Sequence, residues 1–322
     1  MNTLLHGRSL AALLAAIALA LGVAVLAGTP AAAVEEPWVE QRLIGVRDGA
    51  PVFDVPVGAV PDPVTELRTP YTAYYSVVAT DGHRRTFRLH VPRGAASGRP
   101  LLTMLHGLSQ SFDSVTAYTR YDALAAAGQF AVVYPGGVHS SWNAGRCCGP
   151  ARALQVDDQA AVLAMTRLAR AALSSDPHRL YLGGFSNGGM MALSLACRSP
   201  QTWAGVLVVG AAHTDPCRPD RAVPLMQVHG TGDRIVPYGG TRHSSHLGSY
   251  LPGVAGTQAL WRDVNARQGA RTLLITVRGG GHDWPQGRGG ATSQGIATPS
   301  YDTSGHGWNF LAAQRRATPA PP

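Results

Sequence analysis

The chain has no lysine. All 27 of its basic residues are arginine, so a lysine Schiff base and a lysine general base are excluded. Acidic residues number 19, which leaves a formal net charge of +8. The arginines are scattered rather than run together. They read as a solvated surface that could favour an acidic polymer or envelope, and no nucleic-acid partner is expected. Cysteine is scarce: Cys147, Cys148, Cys197 and Cys217 are the full set, with no C-x-x-C pair. That argues against a zinc ribbon and fits an exported protein with disulfides. Four cysteines allow three pairings, and spacing does not choose among them. His243 and His246 could join His282, but no carboxylate ligand pattern lies near them. Neither a metal nor a cofactor is expected. No internal repeat and no composition break mark a second domain.

Long hydrophobic runs are also few, and the longest opens the chain. His6 and Arg8 supply a basic start, Leu10 to Leu26 is apolar, and Ala31-Ala32-Ala33 offers a small-residue cleavage site. This is the pattern of a secretory signal peptide over 1–33. Its removal would leave 322 − 33 = 289 residues with a net charge of +7, since Arg8 leaves and no acid does. The expected product is a secreted chain with no stable membrane anchor. Prolines 51, 56, 61 and 63 punctuate the next stretch. They predict an irregular N-terminal arm over 34–70, or at most a strand at a sheet edge. A catalytic domain is expected over 71–316, and the Pro-Ala tail over 317–322 reads as disordered.

Inside the domain, two strand-like runs, Tyr74 to Ala79 and Arg85 to Val91, flank Asp81-Gly82, a good hairpin turn. Strands and helices then alternate. Apolar runs predict strands at Leu101–Leu105, Phe130–Tyr134, Leu180–Gly183, Ala204–Gly210, Pro224–Val228 and Leu273–Val277. Helical spacing covers Asp113–Ala127, Ala153–Leu173, Thr257–Arg267 and Ser304–Gln314. Asp157-Asp158 falls where acids favour a helix dipole. A hairpin followed by β-α alternation predicts a mostly parallel sheet with helices on both faces, the α/β-hydrolase arrangement.

The chemistry centres on Gly184-Phe185-Ser186-Asn187-Gly188, between an apolar run and a helical pattern. A serine on a sharp strand-to-helix turn exposes its hydroxyl, and glycines two residues either side leave room for the turn. An alkyl hydroxyl needs a base, and the base needs an orienting acid. Asp233 follows the strand ending at Val228, and His282 follows the last strand. The order Ser186, Asp233, His282 is the one this fold uses. Rivals are Asp283, which adjoins the histidine; His229, which precedes Asp233; and His306, in the last helix and expected to face solvent. Backbone N–H groups of Leu108, after the strand Leu101–Leu105, and of Asn187 are the candidate oxyanion donors. Trp142 and Trp284 lie in loops at the same end of the sheet. They could line a substrate groove or cover the core.

Several blocks together resemble the polyhydroxybutyrate depolymerase family of esterases, which includes feruloyl esterases and related acetylxylan esterases. They are Ser141-Trp142-Asn143-Ala144-Gly145-Arg146-Cys147-Cys148-Gly149, Val156-Asp157-Asp158, Gly184 to Met191, His229 to Asp233 with Val236-Pro237-Tyr238, and Gly281-His282-Asp283-Trp284-Pro285. The resemblance covers about Tyr74 to Phe310. It implies a secreted α/β-hydrolase with a Ser186, Asp233, His282 triad, and it suggests a disulfide at Cys147 or Cys148 near the active-site loop. Many extracellular polyester depolymerases of this kind carry extra adsorption domains, whereas this chain stops at Pro322. The expected substrate is therefore a feruloyl or acetyl ester on plant polysaccharide. Polyhydroxyalkanoate depolymerisation is the alternative, and a catalytically silent polysaccharide-binding module is the alternative outside enzymes.

Overall fold

Successive strand residues point to opposite faces of a sheet, and the central strands of this chain are apolar at nearly every position. They therefore demand cover on both sides. The computed structural model describes residues 42–56, 59, 63–64, 66–285 and 301–316. The expected signal peptide and C-terminal tail lie outside these residues. Among them, ten strands form one sheet. In chain order they are β1 Arg42–Arg47, β2 Ala50–Val55, β3 Tyr71–Val78, β4 Arg84–Val91, β5 Leu101–Leu105, β6 Ala131–Pro135, β7 Leu180–Phe185, β8 Gly205–Val209, β9 Leu225–Gly230 and β10 Thr272–Val277. The spatial order is β1-β2-β3-β4-β6-β5-β7-β8-β9-β10. From β6 to β10 every pairing is parallel. The β3–β4 hairpin joins this block antiparallel through β4 and β6.

Two cores sandwich the sheet, and β8 shows how alternation feeds them. Val206 and Val208 enter the core beneath α4 (Asp158–Leu173), α5 (Asn187–Arg198) and α6 (Val254–Arg267). Leu207 and Val209 enter the other, beneath α1 (Phe112–Thr119), α2 (Tyr121–Gly128) and α7 (Thr303–Ala312). The short helix α3 (Gly149–Ala153) lies between α2 and α4 in the chain.

Three boundaries differ from expectation, each for a local reason. Much of the expected irregular arm is regular: β1 and β2 form a hairpin, and β2 pairs parallel to β3. Asp48 and Gly49, with φ of 49° and 75°, make its turn, the conformation that Asp-Gly suits. Pro51 precedes the register shared with β3, which starts at Val52, and Pro56 follows the strand. The expected helix over 113–127 is two helices, because Arg120 between them is left-handed at φ 56°. Helix α4 starts later than expected, capped by the Asp157 carboxylate, which accepts from Ala160 N–H at 3.0 Å. Its neighbour Asp158 is no ordinary dipole partner. It is buried, paired with the buried Arg85, and accepts from Asn143 N–H at 2.7 Å.

The cysteines pair as Cys147–Cys148 and Cys197–Cys217. The second bond ties the end of α5 to the loop after β8 across a separation of 20 residues. Replacing both Cys197 and Cys217 with serine is expected to lower unfolding free energy by roughly 3 kcal/mol, the loop-closure value for a span of this size. Urea denaturation of the oxidised proteins measures it.

Candidate active site

Ser186 sits between β7 and α5 with φ 54° and ψ −122°, a region that side chains other than glycine rarely occupy. Close packing enforces the turn. A Cβ on Gly184 would lie 2.3 Å from the carbonyl oxygen of Gly188, and one on Gly188 would lie 2.3 Å from that of His106. Neither backbone can yield without moving a strand. Gly188→Ala is therefore expected to destabilise the fold by several kcal/mol, about 3 or more, read as a lower urea midpoint or loss of soluble protein.

The loops after β9 and β10 are stitched together. Thr231 N–H donates to Val277 O at 2.9 Å, and Gly232 N–H to Gly280 O at 2.8 Å. This sets Asp233 beside His282. The imidazole Nδ1–H donates to Asp233 Oδ2 at 2.7 Å, and Nε2 lies 2.9 Å from Ser186 Oγ. A carboxylate only accepts, so Nδ1 carries the proton and Nε2 is free to accept from the hydroxyl. All three residues are buried. The other Asp233 oxygen accepts from the N–H groups of Ile235 and Val236 at 2.9 and 2.8 Å. Burial pushes the Asp233 carboxyl up, but hydrogen bonds and charge from His229 and His282 outweigh it and hold the carboxyl well below the usual carboxylate range.

The rivals take other places. His306 is exposed and bonds its own helix at Asp302 O. Asp283 Oδ2 is buried without a partner. His229 Nε2 donates to Val236 O at 2.8 Å and lies 3.4 Å from Asp233 Oδ2, so it supports the acid from behind. His243 and His246 are exposed, while both His282 nitrogens are engaged.

A buried scaffold that sequence reading missed surrounds the serine. The Asn187 amide clamps the Trp142 backbone, accepting its N–H at 2.7 Å and donating to its carbonyl at 3.0 Å. It also lies 3.4 Å from Cys148 Sγ. Trp142 Nε1–H donates to His106 O at 2.8 Å, and Gly137 N–H donates to His106 Nε2 at 3.0 Å. Burial pushes His106 down to about 4, so it stays neutral and can accept that bond. The next loop is fixed by Gly107 N–H to Gln110 Oε1 and Ser109 N–H to Ser140 O. Between them, the N–H of Leu108 donates to no protein atom among the described residues. The N–H of Asn187, first in its helix, has no acceptor one turn back. Trp142 and Trp284 do not line a groove. Both are buried, and each indole N–H is spent internally, on His106 O and on Ser304 Oγ.

A mostly parallel sheet with this strand order, carrying Ser, Asp and His in that chain order on loops at strand ends, defines an α/β-hydrolase. A solved cold-adapted esterase from an Arctic intertidal metagenomic library has the same fold, with a TM-score of 0.51 at 13% identity, over 77% of this chain and 96% of that one. The chain belongs to the family described as "Esterase PHB depolymerase", which matches residues 85–256. It is thus a carboxylic ester hydrolase. One relative is NocK of Nocardia uniformis subsp. tsuyamanensis, named as an esterase: 31% identical over 274 residues, covering 70% of this chain and 76% of that protein. Another is the bifunctional acetylxylan esterase/xylanase XynS20E of Neocallimastix patriciarum, 32% identical over 165 residues. That match covers 49% of this chain and 22% of that protein.

Proposed function

We propose that Ser186, His282 and Asp233 are a catalytic triad, and that the chain is a secreted serine esterase acting on feruloyl or acetyl esters of plant polysaccharide. The carrying observation is the hydrogen-bonded chain from Ser186 Oγ through His282 to Asp233, built on a strained turn. The N-terminal apolar run with its Ala31-Ala32-Ala33 site and the two disulfides support export.

The reaction is a two-step acyl transfer. His282 Nε2 takes the Ser186 proton as Oγ attacks the ester carbonyl carbon. The tetrahedral intermediate places its oxyanion against the N–H groups of Leu108 and Asn187. Asp233 holds the imidazole tautomer and stabilises the imidazolium. His282 then protonates the leaving alkoxide, and the acyl-serine forms. Water repeats the sequence, with His282 as base and Ser186 as leaving group.

The test is hydrolysis of methyl ferulate, acetylated xylan, a short-chain nitrophenyl ester and a hydroxybutyrate oligomer. Preference for the first two supports this reading. Preference for the oligomer would move the assignment to polyester depolymerisation, as the family description allows.

The depressed Asp233 carboxyl has a signed consequence. Such a group contributes stability that is complete above its unfolded value, near 3.8, and is lost as pH falls through the lower folded value. Asp233 therefore stays charged in weak acid. Between about pH 4 and 7 the Asp233 carboxylate is therefore expected to add nothing to the slope of log kcat/KM, which should not exceed about one. A slope of about two would place the carboxylate in the same titration.

A further inference from the structure

His229 stands near the end of β9 as a buried imidazole behind the triad acid, and one of its ring nitrogens is unpaired. Side chains alternate along a strand, so His229 lies on the same face as Leu225, which enters the core that also holds Val236. The chain turns after Gly230 and brings Val236 back to the imidazole. Nε2 of His229 lies 2.8 Å from Val236 O and 3.4 Å from Asp233 Oδ2. A carbonyl and a carboxylate only accept, so Nε2 carries the hydrogen and Nδ1 keeps a lone pair. That lone pair is buried with no partner among the described residues.

A buried, unsatisfied nitrogen costs stability that an apolar side chain of similar size would not. What the imidazole supplies against that cost is a single donor in a single place. Through it, Val236 is held at both of its backbone polar groups. Its N–H donates to Asp233 Oδ1 at 2.8 Å, and its carbonyl accepts from His229. Ile235 N–H donates to the same Oδ1 at 2.9 Å. With Oδ1 fixed by the turn, Oδ2 is placed to accept from His282 Nδ1–H at 2.7 Å. The His229 ring is in turn set perpendicular to Tyr238, centroids 5.7 Å apart, and the Tyr238 hydroxyl bonds Thr276 Oγ1 of β10 at 2.7 Å.

We infer that His229 is a positioning residue for the triad: its Nε2–H closes the 233–236 turn and so sets where Asp233 Oδ2 stands against His282. The inference rests on the triad reading and deepens it, giving the acid a required partner that touches neither the ester nor the reacting atoms. Removing the donor frees Val236 O, loosens the turn and lets the carboxylate rotate away from the imidazole. Binding of the ester in its ground state does not involve His229, so the loss falls on kcat rather than on KM.

The test compares His229→Leu, which removes the donor at similar volume, with His229→Gln, which returns an amide N–H close to the place of Nε2. In His229→Leu, kcat on the nitrophenyl ester is expected to fall about thirtyfold, the size of one hydrogen bond to a charged group, with KM changed by less than about twofold. His229→Gln should recover kcat to within about threefold of the unaltered protein. The far-downfield proton resonance of His282 Nδ1–H is read in the free protein and needs no substrate. It should shift or vanish in His229→Leu and persist in His229→Gln. Should His229→Leu yield no soluble protein, His229→Asn, whose amide stops one methylene short, takes its place with the same expectations. Unchanged kcat and resonance without the donor, a loss that His229→Gln does not restore, or a higher KM at constant kcat overturns the positioning role. Hydrolysis that survives in Ser186→Ala would defeat the triad reading instead. A resonance that answers to His229 in a protein with no turnover would leave the positioning role standing and the triad without its proposed reaction.

Discussion

Ser186→Ala is expected to lower kcat by about a millionfold on any ester the protein hydrolyses, the loss seen when a triad nucleophile is removed. The side chain is small and the turn conformation belongs to the backbone. Ser186 N–H still donates to Val209 O at 2.9 Å, and Met190 N–H to Ser186 O, so alanine should leave the fold intact. Unchanged far-ultraviolet circular dichroism and urea midpoint, together with lost turnover, would isolate the hydroxyl. A residual rate of about a thousandfold over water remains compatible, since the oxyanion donors and binding survive. A loss of less than about tenfold would mean that another group attacks the carbonyl.

Asp233→Asn carries the second large effect, a fall in kcat of about ten-thousandfold. An amide can offer His282 a donor where the carboxylate offered only an acceptor. The imidazole can then carry its proton on Nε2, facing Ser186, and can no longer accept from Oγ. The amide also removes the charge that stabilises the imidazolium. His229 makes this site sensitive, because its Nε2 lies 3.4 Å from the same carboxylate oxygen and was positioned for an anion. Steady-state kinetics on the nitrophenyl ester, with urea denaturation as the folding control, measures both consequences. Retained kcat in Asp233→Asn would remove the aspartate from the proposed chemistry.

The features legible in the sequence were those with a short-range cause. Gly184 and Gly188 announced the turn because only their missing Cβ atoms fit it. The parallel strands announced themselves because apolar residues at every position can be satisfied only between two layers. Asp233 and His282 were placed by their loops and their order after Ser186. The parts that stayed hidden depend on partners distant in the chain. Nothing local to Asn187 says that its amide spans 45 residues to grip Trp142, or that Asp158 is buried against Arg85, 73 residues away. Trp142 and Trp284 looked available for substrate because loop tryptophans often are, and only the acceptors of their N–H groups reveal them as core. The β1–β2 hairpin is hidden by its prolines, which break a strand only where the ladder needs their N–H, and Pro51 and Pro56 stand outside the register shared with β3. Asp48-Gly49 was the overlooked signal.

Ser186 as the nucleophile is the claim from which the rest follows, and covalent capture tests it without choosing a substrate. The purified protein is treated with a fluorophosphonate and its peptides are analysed by mass spectrometry. One adduct per chain, on the peptide containing Ser186 and absent from His282→Ala, is the result expected of a hydroxyl activated by that imidazole. No adduct, or an adduct on a different residue, would contradict it.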